Sequence, residues 1–489
     1  MKKIIPVVLL IVITNIHAFA QKTHEEDYFT EKDSIHINGK VIGFKPGAGD
    51  DFISFITYDI TRDSKKLSFQ LKTDGTFNVM LYQPFRGNIS LSYRGAFENL
   101  YVQPGENLFL NIQNDRIDAP SGNKNAFTVK GKLADVNNIL FDFQTEFKPH
   151  QFNAKADLGD KTQSDSIYIR KRTSQLNEEL DFLNAYINDK GVTNITFEKW
   201  QRNQLIYSAA KEMLLFPFFG KLNKSISEPQ LIGFIKHIPI NNNEALTNSA
   251  YYDFLNMLVT DEQIIININP AYDAVRKING YNSIPLYLDK IDHLSTGLTR
   301  EIMYYDLYMS HLKFNDASQV LSRFNLTIHQ PYLKRIFDES SKSAADGFKP
   351  YDIIERLKGL KVSDTLKQKL IDLFVKEKGT NLYIDFWGDW CGPCMMEMPA
   401  YPKFIAEFEG RPLKFIFFSA QTTEKSMLAV KEQNHINGEF INLTKDEVDI
   451  MNNAFEFHSY PSHFVINSAS KVISNNTRKT AEINKLLWP

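Results

Sequence analysis

Cysteine is nearly absent: Cys391 and Cys394 are the only two in 489 residues. A bridge between neighbours so close in the chain closes a tiny loop and takes little entropy from the unfolded state. That excludes a small secreted scaffold framed by disulfides. Charge of one sign is lacking too. Lys and Arg number 56 against 58 Asp and Glu, so no basic excess marks a nucleic-acid surface. No apolar run approaches the roughly 20 residues that span a bilayer, which excludes stable membrane insertion. The histidines of the middle of the chain, His150, His237, His293, His311 and His329, form no H-x-x-x-H pair. Gly47-Ala48-Gly49-Asp50 lacks the third glycine and the strand–helix setting of a phosphate loop.

What is present is a globular composition, with 43% apolar residues and 37 Phe, ample for sizeable cores. The length suggests about three domains. Residues 1–20 carry Lys2 and Lys3, an apolar stretch from Ile4 to Ile13, and Ala18-Phe19-Ala20. These are the three parts of a cleaved signal peptide, with the cut expected after Ala20. The mature protein is therefore expected to be periplasmic or otherwise extracytoplasmic.

Beyond the leader the pattern changes three times. Residues 21–130 form a β-rich region, with alternating runs such as Ile35-His36-Ile37-Asn38 and Phe77-Asn78-Val79-Met80-Leu81. Turn signals at Asp74-Gly75, Arg86-Gly87-Asn88 and Pro104-Gly105 divide them, which predicts an antiparallel sandwich. Residues 131–378 read as all-α, with Leu176, Leu180, Leu183 and Ile187 at helical spacing. Residues 379–489 alternate strand and helix signals, as an α/β layer fold does.

The two cysteines sit where the run Asn381-Leu382-Tyr383-Ile384-Asp385-Phe386 gives way to a helical stretch over 395–408. A strand-to-helix junction places Cys391 among unpaired N–H groups at the positive end of the helix dipole, which favours thiolate. Cys394 follows on the same helical face, within bridging distance. The layout is an exposed attacking thiol with a second thiol to resolve it. Gly392 leaves room for another chain, and Pro393 gives up an N–H that the first turn does not use. Two other readings stay open on spacing alone. One is a zinc site completed by His458 and His463. The other is a structural pair without turnover.

Asp385-Phe386-Trp387-Gly388-Asp389-Trp390-Cys391-Gly392-Pro393-Cys394 resembles the active-site motif of thioredoxins. The following Met395-Met396-Glu397-Met398-Pro399 resembles the exported, TlpA-like branch. Ser459-Tyr460-Pro461-Ser462-His463-Phe464-Val465-Ile466-Asn467 is similar to the stretch that holds the family's cis-proline. The resemblance implies a thioredoxin-like fold for 379–489, with a Bacteroidetes-type extension before it. It implies Cys391 as nucleophile, Cys394 as resolving thiol and Asp385 as the buried acid that takes the proton of Cys394. Trp390, Gly392, Pro393, Tyr460 and Pro461 would meet the substrate, with bulky Tyr460 narrowing its range. Pro399 would kink the helix, Glu397 would tune the site or stand as an ordinary surface acid, and His463 would be a strand residue. The redox group would be the Cys391–Cys394 pair itself, with no metal and no organic cofactor. The family's N-terminal strand hairpin is not evident before Leu382, where the basic helical stretch 361–378 stands. Asn467 and Ser470 replace the usual Asp and Gly of a later turn.

The function implied is an exported thiol–disulfide oxidoreductase that reduces disulfide-containing exported proteins. It would draw electrons from a membrane donor of the DsbD or CcdA type. The alternative is a redox-sensitive client-binding protein or chaperone without turnover. A thiol peroxidase on the same fold would need Thr where Gly388 stands.

Overall fold

A computed structural model describes residues 28–29, 34–58, 60, 64–117, 125–152, 165–219, 234–260, 284–314, 328–457, 459–475 and 477–488. Residues 1–20, expected to be a signal peptide, and His458 lie outside them. No helix among the described residues is long and apolar enough to cross a membrane.

The first strands are β1 (Ser34–Ile42), β2 (Phe52–Tyr58), β3 (Ser64–Gln70), β4 (Thr76–Tyr82), β5 (Gly87–Tyr93), β6 (Ala96–Val102), β7 (Asn107–Gln113) and β8 (Phe127–Lys130). Their alternation does what the sequence pattern requires. In β4, Phe77, Val79 and Leu81 are buried while Asn78, Met80 and Tyr82 face out. The strands form two four-stranded sheets, β4-β1-β7-β8 and β3-β2-β5-β6. One departure from an antiparallel arrangement is β7, which pairs parallel to β1. The hairpin β5–β6 lies in the other sheet, so the chain returns from it to the first sheet in the direction of β1. Short turns dictate hairpins; they do not dictate which strand a returning segment joins.

Helices follow: α1 (Ala134–Phe147), α2 (Asp165–Lys190), α3 (Ile195–Phe219), α4 (Ser249–Thr260), α5 (Ile284–Leu294), α6 (Gly297–Phe314) and α7 (Pro331–Asp346). They do not build a core of their own. Ile37, Leu110 and Phe55 of the sheets join Phe143, Trp200, Tyr251 and Ile302 of the helices in one apolar cluster. The β-rich and helical regions thus share one core.

The C-terminal body contains β9 (Tyr351–Asp352), α8 (Ile353–Gly359), α9 (Asp364–Lys376), β10 (Asn381–Trp387), α10 (Gly392–Glu397), α11 (Tyr401–Ala406), β11 (Leu413–Ala420), α12 (Glu424–Gln433), β12 (Glu439–Leu443), α13 (Lys445–Phe455), β13 (Ser462–Ile466), β14 (Lys471–Asn475) and α14 (Thr480–Leu487). Its six-stranded sheet runs β12-β11-β10-β13-β14-β9. β10 lies inside, parallel to β11 and antiparallel to β13. Leu382, Ile384 and Phe386 face one layer with α8, α9 and α13. Tyr383 and Trp387 face the other, with the cysteines and α11, α12 and α14. Burial on both faces explains why this strand reads as a continuous apolar run. The sheet begins before residue 379: β9 pairs with β14, and α8 and α9 pack beneath. In the place of the missing hairpin stands this two-residue edge strand.

The two bodies touch. Phe52 of β2 enters the C-terminal cluster. Lys66 pairs with buried Asp449 of α13, and Ser68 donates to the same carboxylate at 2.8 Å.

Candidate active site

β10 ends at Trp387, and the chain turns through Gly388-Asp389-Trp390 into α10. Gly388 is required there, because a Cβ would come within 2.5 Å of the Trp390 indole nitrogen. That nitrogen donates to the Ala420 carbonyl at 2.9 Å. Asp389 ties the turn to the next strand–helix junction, accepting from Ser426 Oγ at 2.6 Å and from Thr422 Oγ1 at 3.2 Å. The sequence reading had no role for Asp389; its partners lie more than 30 residues away.

Cys391 caps α10, its sulfur accepting the Cys394 N–H at 3.2 Å. The two sulfurs are bonded, with the Cα atoms 5.3 Å apart. The expectation of an exposed attacking thiol is not met in this oxidised form. Cys391 is only 5% exposed and Cys394 1%. Tied to its partner, the Cys391 side chain joins the apolar cluster of Trp387, Met398 and Tyr401. The backbone side remains open: nothing stands within 4 Å of a Cβ at Gly392. Pro393 lies in the first turn of α10, where its missing N–H costs no intrahelical bond.

Trp390 is half exposed and meets Tyr460 edge to face, ring centres 5.2 Å apart. The Tyr460–Pro461 bond is cis. Asn467 accepts from the backbone of Ala469 and Lys471 at 3.1 and 3.0 Å, so it serves the turn as an Asp would. Ser470 takes a left-handed φ of 62° where glycine is usual. Pro399 lies in a 3-10 turn, Met398–Ala400, that separates α10 from α11.

Asp385 is 1% exposed, on the face of β10 that also carries Tyr383 and Trp387. Tyr401 donates to its Oδ2 at 2.7 Å. Burial lifts its pKa above the usual carboxylate range, and His463 and Tyr401 pull it partly back. His463 is indeed a strand residue, directly opposite Asp385 in the β10–β13 register. Its Nε2 lies 3.5 Å from Asp385 Oδ1 and 3.3 Å from Glu397 Oε2. It faces two carboxylates, and the sulfurs it would share a zinc ion with are bonded to each other. Glu397 is partly buried and also pairs with Arg478. Burial raises the Glu397 pKa, but His463 and Arg478 outweigh it and hold it below the ordinary value.

Comparison with known proteins agrees with this geometry. Residues 359–474 match the AhpC/TSA family. The C-terminal domain is thioredoxin-like. Thioredoxin 1 of Chlorobaculum tepidum is 44% identical over 46 residues, 9% of this chain and 45% of that protein. The thiol-disulfide oxidoreductase ResA of Bacillus anthracis is 26% identical over 96 residues, 20% of this chain and 54% of that protein. The chain thus spans about half the length of these curated relatives. Among solved structures, the thioredoxin domain of a thiol-disulfide oxidoreductase from Bacteroides vulgatus is 20% identical, covering 23% of this chain and 79% of that one, with a TM-score of 0.21. The family match lies in the C-terminal body, over residues 359–474 of the 489.

Proposed function

We propose that the protein is an exported thiol–disulfide oxidoreductase that reduces disulfides in exported proteins. The observation that carries this reading is the Cys391–Cys394 bond at the start of α10, on the sheet face that holds buried Asp385. In the dithiol form, Cys391 thiolate attacks a substrate disulfide and expels one substrate sulfur. Asp385 accepts the proton of Cys394, whose thiolate attacks Cys391 and releases the second substrate sulfur. Trp390 offers exposed ring surface against partly buried Tyr460, and Gly392 lets an extended substrate segment approach. Gly-Pro between the cysteines resembles the reducing thioredoxins. A reductase outside the cytoplasm needs electrons, which a membrane donor of the DsbD or CcdA type would supply. The signal-like residues 1–20 support export.

The test is equilibration of the purified protein against glutathione or dithiothreitol buffers. A strongly negative potential for the Cys391–Cys394 couple is expected. A potential well to the oxidising side would reverse the direction of transfer. Cys391→Ser is expected to abolish disulfide reduction in a model protein substrate; reduction that survives it would remove the pair from the chemistry. The second reading, a client-binding protein, is favoured by the docking of the N-terminal body on α13, the helix that leads toward Tyr460 and Pro461. Under that reading client binding would survive Cys391→Ser.

A further inference from the structure

We propose that His463 is a positioning residue that passes the proton released by Cys394 from Asp385 to Glu397 and so to water. The inference rests on the oxidoreductase reading and adds the exit route that reading leaves open.

Asp385 is sealed. It is 1% exposed, and Tyr401 occupies its Oδ2. A proton taken up there has no direct contact with solvent. Its other oxygen, Oδ1, is buried and forms no hydrogen bond. The group 3.5 Å from that oxygen is His463 Nε2, likewise buried, which lies between this carboxylate and Glu397 without a well-aligned hydrogen bond to either. Buried polar atoms are ordinarily bonded, so an unbonded carboxylate oxygen facing a ring nitrogen calls for an explanation. The same nitrogen lies 3.3 Å from Glu397 Oε2. One ring nitrogen with one proton cannot serve two carboxylates at once; it can serve them in turn. An imidazole nitrogen can accept a proton from one neighbour and release it to another. Glu397 has 23% of its side chain exposed and is held by Arg478, which is 54% exposed, so the route ends at the surface. The other groups around the ring are Tyr383, with ring centres 5.9 Å apart, and Tyr401 on the far side of Asp385.

The step balances. Cys394 gives its proton to the Asp385 carboxylate. Its thiolate attacks Cys391 in the mixed disulfide, the Cys391–Cys394 bond forms and the bond to the substrate sulfur breaks. The electron pair leaves with the substrate thiolate, which takes a proton from water. The proton on Asp385 moves to Nε2 of His463, then to Glu397, and is returned to water.

The experiment uses the full chain in its dithiol form and 5,5′-dithiobis(2-nitrobenzoate) as the disulfide. Two coloured thiolates are released in sequence. The first reports attack by Cys391, the second resolution by Cys394. His463→Gln keeps a polar side chain but cannot shuttle a proton. It is expected to leave the first phase as in the wild type. The second phase should slow on the order of tenfold, with a pH profile that differs from the wild type's. Glu397→Gln, a partly exposed position, should reproduce the second-phase defect, and it stands in if His463→Gln does not fold. A second phase with wild-type rate and pH profile in either folded variant overturns the relay. A wild-type protein that shows no second release overturns the oxidoreductase reading itself.

Discussion

Burial raises the pKa of Asp385, and the neighbours that favour its charge do not cancel the rise. Its folded value therefore lies above its unfolded one. The stability linked to it is full below the ordinary carboxylate range and is lost as pH rises through the raised value. Burial makes the charged form a cost to the fold, and in the proposed role of Asp385 a more basic carboxylate is the better proton acceptor. Asp385→Asn is expected to raise the melting temperature at pH 7.5 and to leave it unchanged near pH 3, where Asp385 is already neutral. The same variant should slow the second thiolate release by about 10²-fold. Thermal unfolding at the two pH values and the release assay check both signs; a variant that melts lower at pH 7.5 would refute the desolvation argument. The burial of Asp385 was legible in its apolar neighbours and its place six residues before Cys391. Its partners were not. Tyr401 arrives because Pro399 interrupts the helix, and His463 because β13 pairs with β10 in one register, which neither strand states alone.

At the scale of elements, the instructive contact is α13 against the N-terminal strands. α13 opens with a capping box between Thr444 and Glu447. Its first turn places Asp446 beside Asp51, with Asp50, Arg94, Lys445, Lys66 and Asp449 around them. Burial first, and then the Asp51 charge, push the Asp446 pKa up to about 6. The sign follows as for Asp385. The contact is fully stabilised below the ordinary carboxylate range and weakens as pH rises through about 6. Asp446→Asn should raise the midpoint of thermal unfolding at pH 7.5 by roughly 2–4 °C. Near pH 4 the variant and the wild type should melt together. An equal gain at both values would assign the effect to packing rather than charge. Such a contact could not be read from sequence, since its acids come from a loop after β1 and from a helix almost 400 residues later. The alternation inside β1 and β4 was legible; the parallel partnership of β1 and β7 was not, because alternation fixes which face is buried and leaves the neighbour undetermined.

Among the described residues the N-terminal body has one apolar core and the thioredoxin-like domain one on each face of its sheet, and Phe52 crosses the seam between the two bodies. Its neighbours Ile53 and Phe55 belong to the core shared by the N-terminal sheets and helices. Phe52 itself is 1% exposed within the core of the thioredoxin-like domain. Polar contacts flank it. Asn453 donates to the Ser68 carbonyl at 2.8 Å, and the Ser363 N–H donates to Gln70 Oε1 at 2.7 Å. Polar pairs at a partly wet seam contribute little net energy, whereas truncating a buried Phe to Ala costs about 3–5 kcal/mol. If Phe52 dominates the coupling, the wild-type protein unfolds in one calorimetric transition. Phe52→Ala should then split it in two, with one transition belonging to the thioredoxin-like domain. Thiolate release measured between the two midpoints identifies which core has melted. One undivided transition at a lowered midpoint would mean that the Lys66–Asp449 pair and the hydrogen bonds of β3 suffice to couple the cores. Two transitions already in the wild type would mean that the N-terminal body and the redox domain fold independently, and that Phe52 only positions one beside the other.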